Sequence, residues 1–291
     1  MATAMMYRVL ISADEEKKAY DISIGKLAVL STSLASSTLI AYQCAKHYRE
    51  KGRETSTVVR FLGLKAVADF ITEVFQLNFA AFQFHSDNIA MPDQVCILTG
   101  FMTQYFIVAS MTLNFCIALD VFLLLANPWT YDTEFWRNRM LIFVFVLCSG
   151  TSFGLLGADQ LGNSGNGNCW VKNPSGTASW FLYGPCFFYE GFCIIALLFF
   201  AFKVRRISSV RNNSTDGGGD EFFRSSLAKR MLLKMVLFTG IYIISWSVIL
   251  VRHIVQLNDP KNYADIPHYN ALTNMASFFV DAFGIWDLFV W

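Results

Sequence analysis

The sequence predicts an all-α membrane protein, a bundle of seven transmembrane helices with its N-terminus outside, and three observations carry that prediction. Of 291 residues, 54% are hydrophobic and 15% charged, a balance more apolar than soluble composition. The apolar residues gather into runs of roughly 20, the length that crosses about 30 Å of hydrocarbon at about 1.5 Å per residue. Lys and Arg alternate in density from one connection to the next, as insertion with the positive side inward requires.

The runs place spans at Ile24 to Cys44, Val58 to Phe82, Ile97 to Leu125, Met140 to Ala158, Trp180 to Val204, Met231 to Ile254 and Tyr269 to Trp291. The first is the least apolar, and its Ser, Thr and Ala suit close helix packing better than lipid contact. Residues 1–23 form a short extracellular N-terminus. They carry Asp14, Glu15, Glu16, Lys17 and Lys18 where a cleavable signal would need an apolar stretch, so the first span itself directs insertion. The second span holds Lys65, Asp69 and Glu73, four residues apart and so on one face. The third, fifth and seventh add Asp120, Glu190, Asp281 and Asp287. The fourth carries Gly150 and Gly154 as a small-xxx-small face suited to packing within the bundle.

Orientation follows from the connections. Those at Lys46 to Thr57, Asn127 to Arg139 and Lys203 to Lys234 hold most of the basic residues, whereas the alternate ones hold only Lys172, Arg252 and Lys261. The 203–234 loop is therefore cytoplasmic, with a flexible Asn212 to Asp220 stretch at its centre. The sequons at Asn212 and Asn213 then lie on the wrong side for glycosylation. The last span ends inside at Trp291, where the sequence stops, which suggests either an incomplete gene model or a domain cut from a longer protein.

Cys44, Cys116, Cys148, Cys186 and Cys193 fall in or at the ends of spans and read as small buried hydrophobes. Cys96, at the outer start of the third span, and Cys169, in the second outer loop, both face the oxidising side, so a Cys96–Cys169 disulfide is the natural pairing. It would pin the loop from Gly157 to Ser179 across the bundle mouth.

Charges in mid-membrane cost about 2.5–3.5 kcal/mol each on insertion scales, so those present are expected to face the interior. Lys65, Asp69, Glu73, Asp120, Trp246 and Asp281 are the candidate intramembrane switch. The alternative leaves Lys65 snorkelling to the inner interface and Asp69 only holding the bundle. Trp170, Lys172, Tyr183, Arg252 and His253 are the candidate ligand mouth, where Lys172, Arg252 and His253 read equally as contacts for an anion such as a cyclic nucleotide and as ordinary outer-loop residues. Trp170, Trp180, Tyr183 and Tyr269 read equally as an interfacial belt. Lys203, Arg205, Arg206, Lys229, Arg230 and Lys234 are candidate partner-facing residues around the long inner loop, and Arg205-Arg206-Ile207-Ser208 matches a basophilic kinase site.

Cys96-Ile-Leu-Thr-Gly100, with Gln104, Phe106 and Ala109-Ser110, resembles the third-helix pattern of the cyclic-AMP-receptor-like and secretin-like receptors. Cys169-Trp170, Tyr183-Gly184-Pro185, Trp246 with Arg252, and Asp281-Ala282 with Phe289-Val290-Trp291 are similar in order and placement to features of the same group. The resemblance implies a G-protein-coupled receptor of the plasma membrane, with an extracellular ligand, a heterotrimeric G-protein partner and no cofactor. Some lower-eukaryote relatives fuse such a bundle to a lipid-kinase domain, in keeping with the abrupt end at Trp291. The rhodopsin class is not expected: where it carries Asp-Arg-Tyr this chain reads Asp120-Val121-Phe122, and the seventh span lacks Asn-Pro-x-x-Tyr. The sixth span has no proline, leaving Gly240 for any bend.

Other classes fit less well. A retinal protein needs a lysine in the last span, and there is none. His47, His85, His253 and His268 are dispersed, without metal-ligand spacing, so no metal and no enzymatic chemistry are expected. Nothing in the charge pattern calls for nucleic acid. The competing reading is a small transporter or scramblase with Lys65, Asp69, Glu73 and Glu190 along a polar path.

Overall fold

The computed structural model describes residues 2–52, 56–85, 91–126, 131–164, 169–174, 176–213 and 226–258, with single positions between 272 and 285. Within them lie six long helices: α1 (Ala2–Lys51), α2 (Thr57–His85), α3 (Asp93–Ala126), α4 (Thr133–Gly157), α5 (Trp180–Asn213) and α6 (Ser226–Asn258). A hairpin of β1 (Leu161–Asn163) and β2 (Cys169–Val171) joins α4 to α5. The expected seventh span lies largely outside the described residues, Asp281, Asp287 and Trp291 with it; Ala276 and Ala282 are buried there.

Five stretches are long and apolar enough to cross a membrane: Gly25–Lys51, Asp93–Leu124, Thr133–Gly157, Thr177–Phe199 and Thr239–Asn258. α2 has the length, but Lys65, Asp69, Glu73, Gln76 and Asn78 dilute its apolar character. α1 is one helix from Ala2, so helical backbone runs well ahead of the expected start at Ile24. It ends where Gly52 takes a φ of 56°, a left-handed conformation that costs glycine nothing. Asp132 caps α4 by accepting from the backbone amides of Glu134 and Phe135.

The bundle is apolar on its outer surface, and its buried polar residues lie within an otherwise apolar core. On α4, Ile142, Phe145, Val146 and Phe153 are each about 60% exposed, and Phe188, Ile195, Leu198 and Phe202 do the same on α5. In water such faces would be aggregation sites; in hydrocarbon they meet the solvent they match. Inside, α3 is the hub and packs against α2, α4, α5, α6 and both strands. Its Phe115 stacks on Tyr189 of α5 at 4.6 Å, and Thr112 and Tyr189 share a hydrogen bond of 3.2 Å. Gly154 meets the Phe181 ring of α5 while Gly150 opens onto no neighbour, so only half of the small-residue face packs within the bundle.

Candidate functional site

At the end that the charge asymmetry assigns to the outside, Cys96 and Cys169 form a disulfide with Cα atoms 5.0 Å apart. It ties β2 to the first turn of α3. Two further contacts fix the same hairpin. The Trp170 indole donates to Gln104 Oε1 at 2.7 Å, and a Cβ added to Gly100 would lie 3.2 Å from Trp170 Cα. Backbone, not a yielding side chain, stands opposite, so only glycine lets the hairpin sit this close to α3. Gly100→Val is therefore expected to lift the hairpin and lower thermal stability by about 1–3 kcal/mol, read as the unfolding midpoint of the purified protein; an unchanged midpoint would show that the hairpin yields freely.

Beneath the hairpin lies a cavity of about 190 Å³. Thr99, Thr103 and Ile107 of α3 form one wall, Leu182 and Tyr183 of α5 another, and Trp170 closes the top. Trp246 and Ile249 of α6 lie deeper. Arg252 lines it one turn along α6 from Ile249, and Lys26 of α1 and Gln76 of α2 line it as well.

Of the expected mouth residues, Trp170, Tyr183 and Arg252 line the cavity and two do not. Lys172 pairs with Asp159 at 2.7 Å on the outer rim, held by the turn in which Asp159 adopts a φ of 52°. His253 is fully buried beside the cavity, stacked on the Tyr183 ring at 3.6 Å and edge-on to Trp180. Trp180 and Tyr183 thus divide the belt reading: Trp180 is exposed, whereas Tyr183 is buried against His253. Lys26, Gln76 and Thr103 were not singled out in the sequence. Lys26 alone left a signal there, as a cation at the outer edge of a span.

The intramembrane charges sort into separate pairings. Lys65 reaches Asp69 at 2.6 Å with both side chains 2% exposed, so Lys65 points inward and does not snorkel. Glu73 accepts from Ser33 and, at 3.3 Å, from Ser37, linking α1 to α2. Glu190 accepts from Ser247, linking α5 to α6. Among the described residues the Glu73 and Glu190 bonds hold neighbouring helices together, which is what a packed bundle needs. Asp120, on the inner half of α3, accepts from the phenol of Tyr131 just ahead of α4. Burial, together with the Asp120 carboxylate, pushes the Tyr131 phenol up, so it keeps its proton and donates. Asp120 is thus buried, with Tyr131 as its hydrogen-bond donor among the described residues. Among the described residues no cluster of His, Cys, Asp and Glu has the makings of a metal site. Lys203, Arg205 and Arg206 lie on the last turns of α5, and Lys229, Arg230 and Lys234 on the first turns of α6; their side chains lie outside the described residues, as does Asp281.

A membrane-spanning helical bundle with a disulfide-clasped loop over an outer cavity defines a receptor of the seven-helix class. The family model for seven-transmembrane receptors of the rhodopsin family matches residues 41–282, most of the 291-residue chain. The chain belongs to that family; it is a G-protein-coupled receptor, a multi-pass membrane protein that senses an extracellular ligand and signals through G proteins. No curated protein matches it in sequence. The match corrects the expected subgroup, since the rhodopsin family is a different class from the cyclic-AMP-receptor-like and secretin-like receptors. Missing Asp-Arg-Tyr was too local a signal to exclude it. Val121 takes the arginine's place in the core, and Asp120 finds its hydrogen bond in Tyr131.

Proposed function

We propose that this receptor works at the plasma membrane, takes its ligand into the cavity under the Cys96–Cys169 hairpin, and engages a heterotrimeric G protein at the inner ends of α5 and α6. The observation that carries the reading is the cavity itself, because Arg252 and Trp246 line it from one helix, six residues apart. A ligand touching both acts on the helix whose inner end leads out of the 203–234 loop. Such a ligand shifts the resting equilibrium only by its differential affinity for two helix arrangements. The pairings that differ between those arrangements are, in this proposal, Lys65–Asp69, Asp120–Tyr131 and Glu190–Ser247, with Asp281 and Glu73 in supporting positions. Lys203, Arg205, Arg206, Lys229, Arg230 and Lys234 supply a positive face for an acidic partner surface, with residues 1–23 outside.

Ligand-free nucleotide exchange on a panel of G proteins, measured beside ion and lipid flux in liposomes of the same protein, tests this. Exchange without flux is the expected result; flux without exchange would return the transporter reading. Tyr131→Phe removes the donor to a 4% exposed Asp120. It is expected to raise ligand-independent exchange several-fold and to lower stability by about 1–3 kcal/mol. Unchanged basal exchange would take the Asp120–Tyr131 bond out of the switch.

A further inference from the structure

We propose that the ligand of the outer cavity is an anion, a small amphiphile whose carboxylate or comparable acid group sits between Lys26 and Arg252 and whose aromatic or apolar body lies against Trp170, Tyr183 and Trp246. This rests on the receptor reading of the cavity and adds the chemistry of what enters it.

Two cations from different helices line one small cavity, Lys26 from α1 and Arg252 from α6, and among the described residues no Asp or Glu lines it. Two carboxylates on helices that line the cavity are committed elsewhere: Glu73 accepts from α1 serines, and Glu190 from Ser247. The Arg252 Nε is buried without a hydrogen-bond partner, and so is Gln76 Oε1, which lines the same space. A buried guanidinium donor left unpaired costs about 1–3 kcal/mol or more. An acid group between Lys26 and Arg252 removes that cost through charge-assisted bonds. A cationic ligand would instead add a third like charge to a poorly solvated space, and a neutral apolar one would leave the donor unmet. The remaining lining is aromatic and aliphatic, with Thr99 and Thr103 able to orient a second polar group. Few convergent polar groups on an apolar wall are the usual make-up of a small-molecule site. Gln76 Oε1, an acceptor, suits an N–H or O–H of the ligand beyond its acid group.

The cavity's preference can be read without knowing the ligand. The full-length Thr103→Cys variant in phosphatidylcholine nanodiscs is treated with two methanethiosulfonates, one carrying an ethylsulfonate and one an ethyltrimethylammonium group. In each case the cysteine thiolate attacks the thiosulfonate sulfur, forms a mixed disulfide and releases methanesulfinate. Rates are divided by those on a free thiol in solution. Two nearby positive charges in a space of intermediate dielectric are expected to favour the anionic reagent by about tenfold. The preference should fall towards unity when Arg252→Gln and Lys26→Gln are added. Thr99→Cys serves as a second reporter should Thr103→Cys fold poorly. A normalised ratio at or below unity, or no reaction of either reagent at both positions, overturns the proposal. Nucleotide exchange on the same samples separates the two readings. Anion preference without exchange removes the proposed G-protein engagement and leaves the anion site, whereas exchange without preference does the reverse.

Discussion

Replacing Lys65 with methionine is expected to destabilise the bundle by about 3–5 kcal/mol, the largest single effect among the intramembrane residues, because it strands a charge. Asp69 is 2% exposed and its carboxylate lies 2.6 Å from the Lys65 ammonium. The pair sits on one helix, four residues apart, so this bond closes within α2. What it does is let an ammonium and a carboxylate share an interior where neither could stand alone. Removing both at once with Lys65→Met and Asp69→Leu is expected to recover most of the loss, since an apolar pair of similar volume has no desolvation cost to meet. Unfolding midpoints of the parent, the single and the double variant in one detergent measure both effects. A single variant melting with the parent would mean that Asp69 takes up a proton or water on losing its partner. A double variant no better than the single would place the cost in packing. Should the pair also belong to the switch, the double variant would fold and yet differ from the parent in ligand-independent exchange.

Several of these features were legible in the sequence because they depend on local chemistry. Runs of apolar residues mark the helices whatever their neighbours are, and Cys96 and Cys169 were the two cysteines left on the oxidising side, now 5.0 Å apart between Cα atoms. The burial of Asp69 and Glu73 followed from the cost of exposing them to lipid, whereas Lys65, which the sequence allowed to snorkel, turns inward to Asp69. Legibility stopped where one helix's facing depends on another. Lys172 and Lys26 are both lone cations near the outer surface. One is taken by Asp159 because the chain turns at a positive φ after α4, and the other enters the cavity because α1 packs along α2. Neither outcome is written in the flanking residues. Likewise His253 reads as a mouth residue by position, but the rotation of α6 directs it onto Tyr183, one residue away from Arg252 in the cavity. In a membrane helix both faces are apolar, so the period that separates inside from outside in a soluble helix is weak. Asp120 shows the same limit in reverse, since its tie to Tyr131 reaches across the connection between two helices.

Cys169→Ser is expected to have the second large effect, on stability and on the cavity together. The bond closes a loop with a sequence separation of 73, for which chain entropy gives roughly 4 kcal/mol. Helices already held by the bilayer restrict the unfolded chain, so about half that figure is the sounder expectation. Two other tethers remain in the variant, the Trp170–Gln104 hydrogen bond and the close seat of β2 on Gly100, so the hairpin should loosen and not detach. The functional loss should therefore exceed the structural one. Cys169 and Trp170 both line the cavity, and a roof that samples several positions weakens any ligand whose bound pose needs one of them. Combining Cys169→Ser with Gln104→Ala, which removes the acceptor for the Trp170 indole, should cost more than the sum of the two single changes, because each tether alone still holds the same strand. Hydrogen exchange across 161–171 and unfolding midpoints for the four proteins of this cycle provide the measurement. Strict additivity would mean that the disulfide and the indole bond act on separate parts of the loop, and that the hairpin does not move as one lid.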